Sequence, residues 1–186
     1  PSADQTALHL AVSMLHDQAE EAADWGEEDE LELDHGLVQL LLRHDAEPNA
    51  VGLDGQTPLH IAIMGGLHDA AALLIEAKAD LSLGCKAFGA NNKALHQATI
   101  TRDVRMIQLL AEHGAVVDAQ GRDGWTALCL AVRSGAVDTA KALLDARADV
   151  HTASGNGKTP IEIATINGKK GVIELLEARE LEEARE

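Results

Sequence analysis

The chain repeats itself. Five heptapeptides, TALHLAV (Thr6–Val12), TPLHIAI (Thr57–Ile63), KALHQAT (Lys93–Thr99), TALCLAV (Thr126–Val132) and TPIEIAT (Thr159–Thr165), align on a fourth position. That position is held by His9, His60, His96, Cys129 and Glu162, at spacings of 51, 36, 33 and 33 residues. A second motif follows the first four: LLLRHDA, LLIEAKA, LLAEHGA and ALLDARA, ending at Ala46, Ala79, Ala115 and Ala148, spaced 33, 36 and 33. Two motifs on one period of 33 describe a supersecondary unit copied in tandem. Such a unit cannot bury its apolar face alone and must stack on its neighbours.

The unit can be read between Leu53 and Asp80. Asp54-Gly55 is a tight-turn signal. Thr57 is a good N-cap, and Pro58 falls at the first helical position, where its missing N–H costs little. Leu59, Ala62 and Ile63 give a short apolar face, Gly65-Gly66 breaks the helix, and Ala70, Leu73 and Leu74 carry a second one. The composition agrees with closely packed short helices: 46% of residues are apolar but only 2% aromatic.

On these residues the chain resembles the ankyrin repeat family. The resemblance rests on T-P-L-H, the alanine after it, and L-L-x-x-G-A, recurring over about residues 4–178. It implies an all-α solenoid of about five helix-loop-helix units joined by β-hairpin-like fingers, with a concave face formed by fingers and first helices. In domain terms, residues 1–178 are the array and residues 179–186 an acidic helical extension of the last helix with a polar exterior. The repeat motif is carried by Thr57, His60, His96, Thr126 and Thr159, with capping and inter-repeat hydrogen bonding expected of the histidines. The resemblance also implies protein binding without a catalytic centre, and it makes Asn49, in RHDAEPNA, a candidate for the asparagine hydroxylation known in the family. Three departures stand out. The glycine ending the second helix survives only as Gly114, with Asp45, Lys78 and Arg147 elsewhere. Lys93 lacks a capping hydroxyl, for which Asn92 is the nearby substitute. Cys129 replaces a histidine inside the stack and is expected to be an inert, buried thiol.

Two insertions interrupt the period. Three extra residues fall in the finger LGCKAFGANN (Leu83–Asn92), and 18 fall inside the first unit, between His9 and Ala46. The larger insertion, about residues 17–34, holds ten carboxylates and no lysine or arginine. Its apolar spacing, Leu15, Ala19 and Ala22, predicts that the first helix runs on through Ala23, stops near Gly26, and returns along a lengthened second helix. For its tip, with Trp25, Glu27, Glu28, Asp29 and Glu30, a basic protein surface is the expected partner. Net charge is -16 overall, and residues 1–90 hold 17 acids against 3 bases. That balance argues against nucleic acid, whose phosphates need lysine and arginine, and points to a basic partner.

Chemistry is harder to find. Nine histidines and two cysteines show no converging spacing of a metal shell, so no metal or cofactor is expected. EEDELELD offers oxygen ligands but lacks the calcium-loop arrangement. SGNGK (Ser154–Lys158) lacks the phosphate-loop spacing. The carboxylates look uniformly solvated rather than paired in unlike environments. No apolar run approaches a membrane span, and no targeting segment is visible. An intracellular, by default cytoplasmic, location is the expectation, with an organelle if a presequence was removed ahead of Pro1.

The remaining reading is interaction. Residues four past the motif position, Ser13, Met64, Ile100, Arg133 and Ile166, and residues at the finger tips, Gln5, Gln56, Asn92, Trp125 and Lys158, flank the concave face that the resemblance implies. Met64, Ile100 and Ile166 make an apolar row containing Arg133, beside Trp125. Large apolar residues at solvated positions suggest a docking groove, and Trp and Arg are favoured anchors. The expected function is a non-enzymatic protein-binding module. The alternatives are an architectural subunit built permanently into a large complex, and the regulatory part of an enzyme.

Overall fold

The computed structural model describes residues 6–25, 35–52, 55–85 and 91–185. Helices come in pairs along the chain: α1 (Ala7–Trp25) with α2 (Gly36–Arg43), α3 (Pro58–Met64) with α4 (His68–Glu76), α5 (Ala94–Thr101) with α6 (Val104–Glu112), α7 (Ala127–Ser134) with α8 (Val137–Asp145), and α9 (Pro160–Ile166) with α10 (Lys170–Glu183). First helices pack on first helices, α1 on α3 on α5 on α7 on α9, and second helices on second helices, α2 on α4 on α6 on α8 on α10. Each unit therefore closes the apolar face of the next. One continuous core results, running from Leu8 and Val38 through Leu59, Leu74, Met106, Leu110, Leu128 and Leu143 to Ile163 and Leu176.

Among the described residues the connections hold hairpin-like closures without strands. Gly52 N–H donates to Gln56 O (2.8 Å), Gly121 to Trp125 O (2.8 Å) and Ser154 to Lys158 O (2.9 Å), each spanning four residues. The finger with the insertion closes from Cys85 N–H to Asn92 O (2.9 Å), seven residues apart, so the three extra residues fall inside its tip. Cys85 with Asn92 is the one antiparallel bridge among the described residues.

The first four units end their second helix in the left-handed region, at Asp45 (φ 60°), Lys78 (70°), Gly114 (86°) and Arg147 (67°). The family's glycine is thus missing at three positions whose backbone still favours it. The turn after the first helix repeats the pattern with Gly66, Arg102, Gly135 and Gly168.

The long insertion lengthens only one helix. α1 has 19 residues, against 7 or 8 in α3, α5, α7 and α9. α2 has 8, no more than the 9 of α4, α6 and α8, so the expectation of a lengthened returning helix is corrected. Gly36 at its first position explains the stop, since glycine is among the poorest helix formers. Residues 26–34 of the insertion lie outside the described residues.

Candidate protein-interaction site

The repeated histidine does two jobs at once. Thr6 N–H and Thr57 N–H each donate to the Nδ1 of the histidine three residues on, at 3.3 Å, with the threonine hydroxyls at 2.8 and 2.9 Å from the same nitrogens. Lys93 N–H does the same to His96 Nδ1 (3.3 Å). An accepting Nδ1 puts the ring proton on Nε2. His9 Nε2 then donates to Gln56 O (3.1 Å) and His96 Nε2 to Trp125 O (2.9 Å), tying each first helix to the next finger. In the inserted finger Leu83 is the carbonyl that faces His60, outside hydrogen-bonding geometry. Cys129 Sγ makes the weaker version to Thr152 O at 3.8 Å, and Glu162 closes the last unit by accepting from Thr159 N–H at 2.9 Å. The capping role expected of Asn92 is taken instead by His96, because Asn92 Oδ1 accepts from Arg122 N–H in the next finger (3.0 Å). Thr126 caps α7 through its hydroxyl, accepting from Cys129 N–H at 3.2 Å.

Burial sets the chemistry of these groups. It lowers the His60 pKa from 6.5 to about 4 and also lowers that of His96, so both rings are neutral hydrogen-bonding elements at neutral pH. Burial pushes the Cys129 thiol up, which keeps it protonated and unreactive. Cys85 is likewise buried. Among the described residues no cluster of three or more His, Cys, Asp or Glu side chains is placed to hold a metal ion, and no helix is long and apolar enough to cross a membrane.

Other ties also run between units. Asn49 Oδ1 accepts from Asp80 N–H, and its Nδ2 donates to Lys78 O; one double period on, Asp118 Oδ1 accepts from Asp149 N–H. His68 Nε2 lies 2.8 Å from Asp103, whose other oxygen accepts from Met106 N–H and caps α6. At the far end Arg179 donates to Leu144 O near the C-terminal end of α8, and pairs with Glu182 and Glu183.

Against this frame of ties between units, a row of exposed apolar side chains stands out. Met64 (40% exposed), Ile100 (49%) and Ile166 (64%) lie open to solvent at or next to the last residue of α3, α5 and α9. Arg133, on α7 between Ile100 and Ile166 in the stack, is exposed and stacks on Trp125, its guanidinium carbon 4.5 Å from the ring centre. Such a stack fixes a long side chain that would otherwise sample many rotamers. Ile100, Trp125 and Arg133 share a groove of about 220 Å³ with Asn92, Arg122, Asp123 and Leu130; Met64 and Ile166 do not line it. Arg122 and Asp123 pair at its rim (3.3 Å). Neither belongs to a repeat motif, and their place at a fingertip just before Gly124 was their only sequence signal.

The acidic stem is part of α1. Asp17, Glu20 and Glu21 are exposed on it, with His16 Nε2 3.5 Å from Glu20. Trp25 is the last residue of α1; Glu27, Glu28, Asp29 and Glu30 lie outside the described residues.

Comparison with known proteins gives this architecture its relatives. A family model described as ankyrin repeats in three copies matches residues 32–121, 83–154 and 116–182. A nuclear factor NF-kappa-B subunit of Gallus gallus is 31% identical over 176 residues, 94% of this chain and 16% of that protein. A transient receptor potential cation channel subfamily A member 1 homolog of Caenorhabditis elegans is 31% identical over 137 residues, 74% of this chain and 11% of that protein. A B-cell lymphoma 3 protein homolog of Mus musculus is 30% identical over 126 residues, 68% of this chain and 27% of that protein. The chain spans well under a third of the length of each of these relatives.

Proposed function

The chain belongs to the ankyrin repeat family, and we propose that it binds another protein on the face carrying Met64, Ile100, Trp125, Arg133 and Ile166. Ankyrin repeats are protein-interaction modules, so the question left is where the partner sits. The observation that carries the answer is the Trp125–Arg133 stack, 4.5 Å apart, over a groove that also exposes Ile100. An aromatic and an arginine held rigid beside an open apolar side chain lose little entropy when a partner covers them, which is how interface anchors concentrate binding energy. An apolar side chain of the partner fills the groove. The flanking Arg122 and Arg133 favour a carboxylate or carbonyl next to it.

The acidic insertion serves a second, longer-range role. Asp17, Glu20 and Glu21 on the α1 stem are exposed carboxylates on the same unit as the tip residues Trp25, Glu27, Glu28, Asp29 and Glu30. Together they steer a basic region of the partner toward the face, raising the association rate more than the lifetime of the complex. The recognised protein therefore carries an apolar side chain for the groove and a basic surface for the stem.

The test is comparative capture. Wild-type chain, the double variant Trp125→Ala, Ile100→Ala, and a control variant Leu181→Ala are immobilised, and bound proteins are identified by mass spectrometry. A protein held by wild type and control but lost by the double variant supports the reading. Capture indifferent to the double variant rejects it. Association of the recovered protein should also slow as salt rises, because exposed charges are screened beyond about 8 Å at physiological ionic strength.

A further inference from the structure

The first unit is buried differently from the other four. Leu37 of α2 is 44% exposed, whereas the residues at its repeat position, Ala70, Met106, Thr139 and Val172, are 0, 0, 2 and 1% exposed. Leu10 of α1 is 37% exposed, whereas at the same position Gln97 and Ile163 are buried (3 and 2%) and Ile61 and Leu130 are half-buried. Leu41 is half-buried where Leu74, Leu110, Leu143 and Leu176 are fully buried, and Leu40 is exposed where Leu73, Leu109 and Leu175 are half-buried and Ala142 is buried. In the last unit Ile163, Val172 and Leu176 remain buried, so these positions are covered by the unit before, not by the unit after. Leu10, Leu37, Leu40 and Leu41 thus form one face, the side of the first unit that points away from the rest of the stack. Met14 extends it along α1, four residues from Leu10.

The other end of the stack is finished in the opposite way. Glu177 holds the position of Ile75 and Leu144, and it is exposed, so the outer side of the last unit carries a carboxylate where inner units carry buried aliphatic groups. Terminal units need such a polar outer face to stay soluble. Among the described residues, the far end of the stack has it and the first unit does not.

We propose that the face of Leu10, Leu37, Leu40 and Leu41 is a stacking interface, and that its occupant is one more helix pair of the same repeat design, seated ahead of α1 as each unit is seated ahead of the next. The face continues the four interfaces already present between units, with apolar residues at most of the same positions. A second copy of the chain is a poor occupant. Its own outer face at the far end carries Glu177, and face-to-face pairing would bring together two halves that each hold 17 acids against 3 bases. Polar or disordered segments would leave the leucines wet.

The native thiols make the test clean, since Cys85 and Cys129 are both buried. Leu37→Cys introduces one accessible thiol, and its rate of reaction with a maleimide reports whether the face is covered. In the 186-residue chain labelling should be fast at every protein concentration. The chain is then extended by placing a copy of residues 126–158 directly before Thr6, in place of residues 1–5, as they already stand before Thr159. Labelling should slow at least tenfold, the urea midpoint should rise, and adding Leu10→Glu to the extended chain should restore fast labelling. A second extension with a copy of residues 93–125, which stand before Thr126, guards against one poorly folding junction. Three results would overturn the proposal: slow labelling in the dilute unextended chain, protection that grows with its concentration, or fast labelling in both extended chains.

Discussion

Replacing Lys78 or Arg147 with glycine should stabilise the stack. Both residues sit just past a second helix with φ of 70° and 67°, at the position that Gly114 occupies with φ 86°. A side chain in this region places its Cβ against the backbone at a cost of about 1–2 kcal/mol. Glycine removes that cost but gives the unfolded chain more freedom, offsetting about 0.5–1 kcal/mol. Lys78 and Arg147 are exposed, and the hydrogen bonds of Lys78, from its N–H to Ile75 O and from Asn49 to its carbonyl, are backbone bonds that survive the change. The net gain is about 0.5–1 kcal/mol per site, and the two sites, two units apart, should add. Gly114→Ala is the mirror image. No atom lies within 4 Å of the Cβ it would introduce, so its effect is the backbone conformation alone, a loss of about 1 kcal/mol. Urea denaturation followed by helical circular dichroism reads all three, as shifts of the midpoint at constant slope of a few tenths of a molar or more. If both glycine variants lower the midpoint, or Gly114→Ala leaves it unmoved, the left-handed strain does not exist.

Acid should weaken the fold before carboxylates titrate. His60 has a folded pKa of about 4 against 6.5 unfolded, so below pH 6.5 the unfolded chain takes up a proton that the folded ring refuses; stability falls between pH 6.5 and 4, by about 2 kcal/mol at pH 5, with His96 acting in the same direction. Midpoints at pH 7.5 and 5 measure this, and His60→Gln should flatten the difference. Leu110→Ala, at 0% exposure, should cost roughly 2–5 kcal/mol by leaving a cavity, whereas Leu181→Ala, at 61%, should cost under about 0.5 kcal/mol; equal losses in denaturant melts would show that the end of α10 belongs to the core. Native Cys85 and Cys129 should resist a thiol reagent until urea opens the stack, and rapid labelling of either would contradict its burial.

Much of this fold was legible because its signals repeat. A single T-P-L-H is a weak helix start, but five at one period locate every first helix, and their spacing located both insertions. What repetition could not supply was the outcome where a unit departs from the pattern. The apolar run Leu15, Ala19, Ala22 read correctly as continuation of α1, yet the same logic failed for α2, since Gly36 ends helical propensity however much chain is available. Asn92 looked like a substitute cap because side-chain identity shows what can bond, not which neighbour arrives first; the Arg122 N–H of the next finger reaches it instead. The groove had the same limit. Ile100, Trp125 and Arg133 follow from position in the unit, while Arg122 and Asp123 join them only through the bend of one finger. The open face of the first unit was present in the sequence as well, in Leu10 and Leu37 against Glu177, but it becomes visible only when equivalent positions are compared for burial.

The most direct measurement is a calorimetric titration of the captured partner into wild type and into the Trp125→Ala, Ile100→Ala variant, alongside their urea midpoints. With the anchors gone and the fold intact, affinity should drop by about 30-fold or more, the equivalent of about 2 kcal/mol. Equal affinity at equal stability would place the interaction elsewhere on the stack and contradict the account.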